Sequence, residues 1–463
     1  MQHGHDRPAR DDRARLRAPT AAWKIGIALG ALAALVATGP AARAQEPQAD
    51  TLRLGLDEAV RRATTTNEQV LIARAQQARA AGTVKEVRAD ALPQIDANFG
   101  YTRNIQKPVI FFNSGGQVQP ITIGNDNDYS IGLTLTQTLF DFSLGPARAA
   151  ARLSREATAA EVEAARTNVA LSARTSYYDV LLSRALVDVQ EKALEQAQRR
   201  LSQVQDFYDA GTASEFDLLT AQVEVDNLRP PLIQARNQLA LNRNQLKRTV
   251  GISLDRPVAL TDTFPAPADT ASLQDYLVLA GRRRSDLRSQ QVQVQLYHEN
   301  LSSKKLSALP TLSLTAGVRR QASSNDLLPP ESQFAQSTTA GLQFSVPLFD
   351  GRRRAGQVQQ ARAQEEEARF RLAQLQQDIR LQVQQAYQAM QAARERIQAS
   401  QANVHRAERA LQIAETRFKN GLSTQVELHD AELAVTQARS NRARALHDYG
   451  VARANLMAAV GER

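Results

Sequence analysis

The chain contains no cysteine. Structural disulfides, thiolate metal sites and a lipidated N-terminal cysteine are therefore excluded. It also lacks a catalytic constellation. No serine–histidine–aspartate arrangement and no phosphate loop is present. The six histidines (His3, His5, His298, His405, His429, His447) are scattered. Nothing calls for catalysis or a cofactor. Nucleic-acid binding is unsupported, because the charge excess is small. The first 44 residues hold seven Lys/Arg against three Asp/Glu, so only +5 of the formal +9 belongs to the remainder. Glycine and proline are missing from two windows, 147–210 and 357–420, each 64 residues long.

Those two windows are also the clearest positive feature. Each ends on one glycine, Gly211 or Gly421, and is followed by a second helical stretch stopping at Val250-Gly251 or Val460-Gly461. Tyr177 maps onto Tyr387, Leu201 onto Leu411, Leu218 onto Leu428 and Leu246 onto Leu456, all 210 positions apart. One long unit has been duplicated without gaps. At about 1.5 Å per residue, each window predicts a rod of roughly 95 Å.

Residues 1–44 read as a secretory signal peptide. A basic stretch (Arg7 to Lys24) precedes the apolar run 25–36, a Gly39-Pro40 breaker and the small-residue site Ala42-Arg43-Ala44. The run is too short to span a bilayer comfortably. Its long basic leader suggests a start codon downstream of Met1. The expected division is then 45–251 for the first repeat, 252–271 for a Pro-rich linker and 272–463 for the second repeat.

Within each repeat the order is helix, strand, loop, strand, long helix, turn, helix. Helices are expected over 56–91 and 272–308, broken at Leu92-Pro93 and Leu309-Pro310. The period then becomes two. Ile95, Ala97, Phe99 and Tyr101 share one face of a strand; Ile131, Leu133 and Leu135 share another. Leu312, Leu314, Ala316 and Val318, then Ala340, Leu342, Phe344, Val346 and Leu348, repeat the pattern. Polar loops are expected over 104–128 and 321–337. Segments of this length, apolar on one face and small-polar on the other, suit a membrane barrel with a wet lumen, and equally a soluble half-buried sheet. Four strands cannot close a barrel, since the smallest have about eight. Three copies would supply twelve. A heptad seam runs through Leu194, Ala197, Leu201, Val204 and Tyr208, and again through Val404, Ala407, Leu411, Ala414 and Phe418. Phe216, Leu219 and Val223, with Leu422, Val426 and Leu433, are expected to answer it from the return helices.

These features together resemble the TolC-like outer-membrane efflux protein family. The marks are Val346-Pro347-Leu348-Phe349-Asp350-Gly351 followed by Arg352, Arg353 and Arg354, and the tips Phe207-Tyr208-Asp209-Ala210-Gly211-Thr212 and Arg417-Phe418-Lys419-Asn420-Gly421-Leu422-Ser423. The resemblance implies a mostly α protein with membrane β: a homotrimer whose 12-stranded transmembrane β-barrel, four strands per protomer, continues as a periplasmic α-helical coiled-coil barrel. It implies an outer-membrane conduit, sitting in outer-membrane lipid, that docks onto a periplasmic adaptor (membrane fusion) protein and an inner-membrane pump, for efflux or type I secretion. It also implies adaptor docking at Gly211, Thr212, Gly421, Leu422 and Ser423, and a periplasmic gate of Asp217, Glu427 and Asp430. The plainer reading of those acids is stabilisation of a helix N-terminus, about 0.3–1 kcal/mol each. His429, beside Glu427 and Asp430, reads as a polar residue rather than a metal ligand. Tyr101, Tyr129, Phe344 and Phe349 are candidates for an aromatic girdle, and the arginine cluster for a solvated helix start. Two departures stand out. Pro230-Pro231 falls inside a return helix and predicts a kink or break. Thr138 replaces the counterpart of Pro347, predicting a less abrupt passage from strand to helix. The competing reading is a structural periplasmic coiled-coil envelope protein, which would need no strands.

Overall fold

The computed structural model describes residues 51–114, 117–267 and 271–462. The expected signal segment and the end of the linker lie outside them. The chain opens with β1 (Leu52–Leu54), α1 (Leu56–Thr66) and α2 (Glu68–Ala89). Strand β2 (Gln94–Arg103), a hairpin of β3 (Val109–Ser114) and β4 (Gln117–Thr122), and β5 (Asn127–Phe140) follow. Then come α3 (Leu144–Asp209), α4 (Glu215–Val250) and β6 (Val258–Leu260). The second half holds α5 (Leu273–Arg283), α6 (Ser285–Leu306), β7 (Thr311–Ser324), β8 (Ala335–Ser345), α7 (Arg353–Lys419) and α8 (Gln425–Val460).

The two rods are present. Helix α3 has 66 residues and α7 has 67, or about 100 Å each. Helix α3 tolerates Gly145 and Pro146 because they sit in its first turn, where backbone N–H groups have no intrahelical acceptor. Each rod ends in a tight reversal. Gly211 has φ +76° and Gly421 has φ +69°, the left-handed conformation that glycine adopts without penalty. The N–H of Thr212 donates to the Phe207 carbonyl at 2.8 Å, and the N–H of Leu422 donates to the Arg417 carbonyl at 2.8 Å.

The expected break at Pro230-Pro231 does not occur; α4 runs through both prolines. Both lie on an exposed face, as do Asp226 and Asn227, whose carbonyls lose their intrahelical donors. Water can satisfy those carbonyls, while Val225 and Leu232 on the opposite face stay buried and hold the helix down. Replacing both prolines with alanine restores two hydrogen bonds and is expected to stabilise the fold by about 1–3 kcal/mol. A thermal melt checks this; a lower midpoint would show that the pair is needed.

The heptad seam holds in its middle on the descending helices, where Ala197, Val204, Val404 and Leu411 are buried, but Tyr208 at its end is exposed. It is wrong on the return helices. Phe216 and Leu422 are 76% and 69% exposed, and Leu219, Val223, Val426 and Leu433 are exposed too. The residues that meet α3 are Val225, Leu232, Leu239 and Leu246, spaced seven apart, and Leu428 and Val435 meet α7. Leucine, valine and alanine populate both faces, so the period alone picked the neighbouring stripe.

Sequence reading ran α1 and α2 together, and likewise α5 and α6. Asn67 interrupts the first pair: its side chain accepts from the Gln69 N–H at 3.0 Å and donates to the Thr249 carbonyl at 3.0 Å. The supposed linker holds β6, which pairs in parallel with β1 through Leu52↔Val258 and Leu54↔Leu260. The expected loop 104–128 contains the β3–β4 hairpin.

Strands β2, β5, β7 and β8 form one antiparallel sheet in that order. The register sorts its faces cleanly. One face carries Ile95↔Leu135↔Ala316↔Ala340 and Ala97↔Leu133↔Val318↔Thr338; the other carries Asp96↔Thr134↔Gly317↔Thr339. Strand β8 stops at Ser345, two residues before Pro347, whereas β5 continues to Phe140 through a bulge beside Leu139. Proline removes the ladder donor on one side only, so the more gradual passage expected at Thr138 is observed.

Candidate functional site

Three regions carry the residues that could act: the sheet, the hairpin tips and the contact between the two helical hairpins. Across the sheet, Tyr101 lies opposite Tyr129 with ring centroids 5.0 Å apart, near the β2 and β5 ends that meet the loops. Phe344 sits opposite Leu312 at the other end, near Phe140 and Phe142, whose rings meet edge to face at 4.4 Å. Some ten residues of strand separate the two levels, about 33 Å along β5 and about 25 Å once tilted, the height of an outer-membrane apolar band. Phe349 lies beyond β8 and is not part of the sheet. Of the arginine cluster, Arg354 is tied inward: its Nε donates to Asp350 Oδ2 at 2.6 Å and a terminal nitrogen to the Pro347 carbonyl at 3.0 Å. The first of these bonds chiefly holds the Asp350 carboxyl below its ordinary range. Arg352 has φ +68° and turns the chain into α7 beside Gly351 at φ +66°.

At the tips, every proposed docking residue lies at or beside a reversal. A Cβ built on Gly211 or Gly421 meets nothing within 4 Å, so the backbone there is open to a partner. The proposed gate acids are also here, and one of them, Asp217, caps its helix through its side chain. Asp217 accepts from the Ser214 hydroxyl at 2.6 Å and the Ser214 N–H at 3.1 Å, a reciprocal capping box, and the first of these bonds chiefly depresses its pKa. Glu427 accepts from the Ser423 hydroxyl at 2.7 Å, and its N–H donates to Thr424 Oγ1 at 3.3 Å. Asp430 is exposed one turn further on.

Sequence reasoning missed the third region. Arg200 of α3, 2% exposed, forms ion pairs with Glu224 of α4 and Glu432 of α8. His429 Nδ1 lies 2.6 Å from Glu224 Oε1, so this histidine looks across to α4 and not to Glu427 or Asp430. Burial raises the Glu432 carboxyl and lowers the Arg200 guanidinium. Glu224, His429 and Glu432 present donor atoms within 4.8 Å of one another. The guanidinium already engages both carboxylates, so the group is an ion-pair network and not an open cation site. Higher on α8, His447 Nε2 lies 2.8 Å from Asp179 Oδ1 of α3, and Nδ1 lies 3.3 Å from Asp448 Oδ1. The one sequence signal for this region is that His429 and His447 are 18 residues apart, five helical turns.

The model of the outer membrane efflux protein family matches residues 59–252 and 277–462. The Outer membrane protein TolC of Escherichia coli is 23% identical over 82% of this chain and 76% of its own length. TolC of Vibrio cholerae is 24% identical over 88% of this chain and 90% of its own. The crystal structure of the Campylobacter jejuni CmeC outer membrane channel shares the fold, with a TM-score of 0.75, 19% identity and coverage of 88% of this chain and 85% of that one.

Proposed function

This chain belongs to the outer membrane efflux protein family, and from that premise we propose how its sheet and rods make a conduit. It is an outer-membrane channel of an efflux or type I secretion system, with a large periplasmic helical portion. The observation that carries the assembly is the sheet. Strands β2 and β8 are both edges, and one face of the sheet is apolar. Lipid does not tolerate unpaired strand edges. Three copies, with β8 of one beside β2 of the next, close twelve strands around the polar face.

The helices support the same reading. Phe216, Leu219 and Val223, and Leu422, Val426 and Leu433, form apolar stripes that no helix among the described residues covers. Neighbouring protomers bury them when six hairpins form a tubular stalk. The conduit is passive. Its tips, at Gly211, Thr212, Gly421, Leu422 and Ser423, receive the periplasmic adaptor, which couples it to the inner-membrane pump. Purified protein should have the mass of a trimer and form pores in planar lipid films; a water-soluble monomer without pores would overturn the proposal.

Glu427 and Asp430 occupy one face of α8 near the tip, where threefold repetition concentrates carboxylates and attracts cations. Replacing them with Gln and Asn should lower cation selectivity severalfold in bilayer recordings. Asp217→Asn should leave selectivity unchanged and cost about 1 kcal/mol through the lost cap. Unchanged selectivity in the double variant would leave Glu427 with its bond to the Ser423 hydroxyl alone.

A further inference from the structure

Helices α3 and α8 form the contact between the two helical hairpins of one protomer. Two histidine stations pin it, and they have the same composition. The lower station holds His429, Glu224, Glu432 and Arg200. The upper station holds His447, Asp179, Asp448 and Arg396, the last 3.2 Å from Asp448. Each therefore sets two carboxylates against one arginine. With a neutral imidazole each set of four carries one uncompensated negative charge, and an imidazolium cancels it; Glu415 of α7 adds a further negative charge at the lower station. The 18-residue spacing puts both histidines on one face of α8, about 27 Å apart, facing the first hairpin.

We propose that this seam is a proton-responsive clasp that holds the two hairpins of each protomer together when the periplasm is acidic and loosens them when it is not. The inference rests on the channel reading above and adds its regulation.

Around the lower histidine stand Glu224 of α4 and Glu432 of α8, both paired with Arg200 of α3; Glu415 of α7 acts on Glu432. Around the upper one stand Asp179 of α3, Arg396 of α7 and Asp448 of α8; α4 contributes the neutral Asn242, which donates to the Asp179 carbonyl at 3.3 Å. Burial pulls the His447 pKa down, but the hydrogen bonds to Asp179 and Asp448 push it up and win. A raised folded-state pKa stabilises the closed seam fully below the unfolded value of about 6.5. That stabilisation is lost as pH climbs through the raised folded value, so the clasp works across the imidazole range and not the carboxylate range.

The experiment compares wild type with His429→Gln/His447→Gln in planar bilayers at about pH 5.5 and about pH 8.5. A parallel measurement uses nitroxides on Gln198→Cys and Gln437→Cys, whose labelling is clean because the chain has no cysteine. Wild-type open probability should rise about threefold or more with pH, and the α3–α8 label distance should lengthen. The double variant should show neither response. His447→Lys, cationic throughout this range, should keep the label distance short at both values. A double variant with the wild-type pH response in both readouts overturns the clasp, as does a wild-type response abolished by chelator, which would indicate a bound metal. Failure to form pores while the label distance still follows pH would overturn the channel reading and leave the clasp standing.

Discussion

Replacing Gly421 with aspartate is expected to abolish export while leaving the amount of assembled protein unchanged. The backbone at this tip has φ +69°, so any L side chain costs about 1–2 kcal/mol there. A Cβ meets nothing within 4 Å, so the substitution adds no clash within the protomer. The damage falls on whatever approaches from outside. A carboxylate at the end of a hairpin introduces bulk and charge where the proposed docking of an adaptor needs bare backbone. Gly356→Asp is the control: its Cβ also meets nothing within 4 Å, but it sits near the start of α7, a rod's length from the tip. Dye accumulation in cells lacking another channel, read beside the assembled band on a gel, checks both. Full export by the Gly421 variant would remove the tip from the docking surface.

Truncating Tyr177 to alanine should cost about 3–5 kcal/mol and abolish assembly near physiological temperature. The side chain is fully buried. Its hydroxyl donates to the Leu54 carbonyl at 3.1 Å and accepts from the Asp262 N–H at 3.2 Å. Those partners belong to β1 and to the turn after β6, so this one side chain ties the small parallel sheet to the middle of α3. Tyr177→Phe keeps the ring; the Leu54 carbonyl retains the Thr261 N–H at 3.2 Å and only the Asp262 N–H loses its partner, worth about 1 kcal/mol. The counterpart Tyr387 is only partly buried, against Tyr276 at 6.1 Å. Tyr387→Ala should cost clearly less. Thermal unfolding of the three variants decides it, and equal losses at 177 and 387 would contradict the packing described here.

That contrast marks where sequence reasoning stops. Tyr177 and Tyr387 are equivalent by repeat spacing, yet only one is enclosed, because only the first half has a β1–β6 ribbon beside its rod. Neither three-residue strand is long enough to show a period, and the prolines around β6 disguised it as linker. The return-helix stripe was misplaced because apolar residues on both faces left the phase undetermined. The two reversals were legible from glycine position alone. The capping of Asp217 was legible as an acid in a first turn, whereas the proposed gate role of Glu427 and Asp430 depends on copies of the chain that surround them.

By itself the sequence determined the duplication, the two glycine- and proline-free rods, their reversals and the four zigzag strands. These are local properties: backbone propensity and side-chain period act within a few residues. Only the tertiary structure decided the strand order with its two open edges, the unbroken passage through Pro230-Pro231, and the pairing of His429 with Glu224 and His447 with Asp179. Each brings together groups that are distant along the chain, or sets local strain against distant packing, and no local period records the outcome.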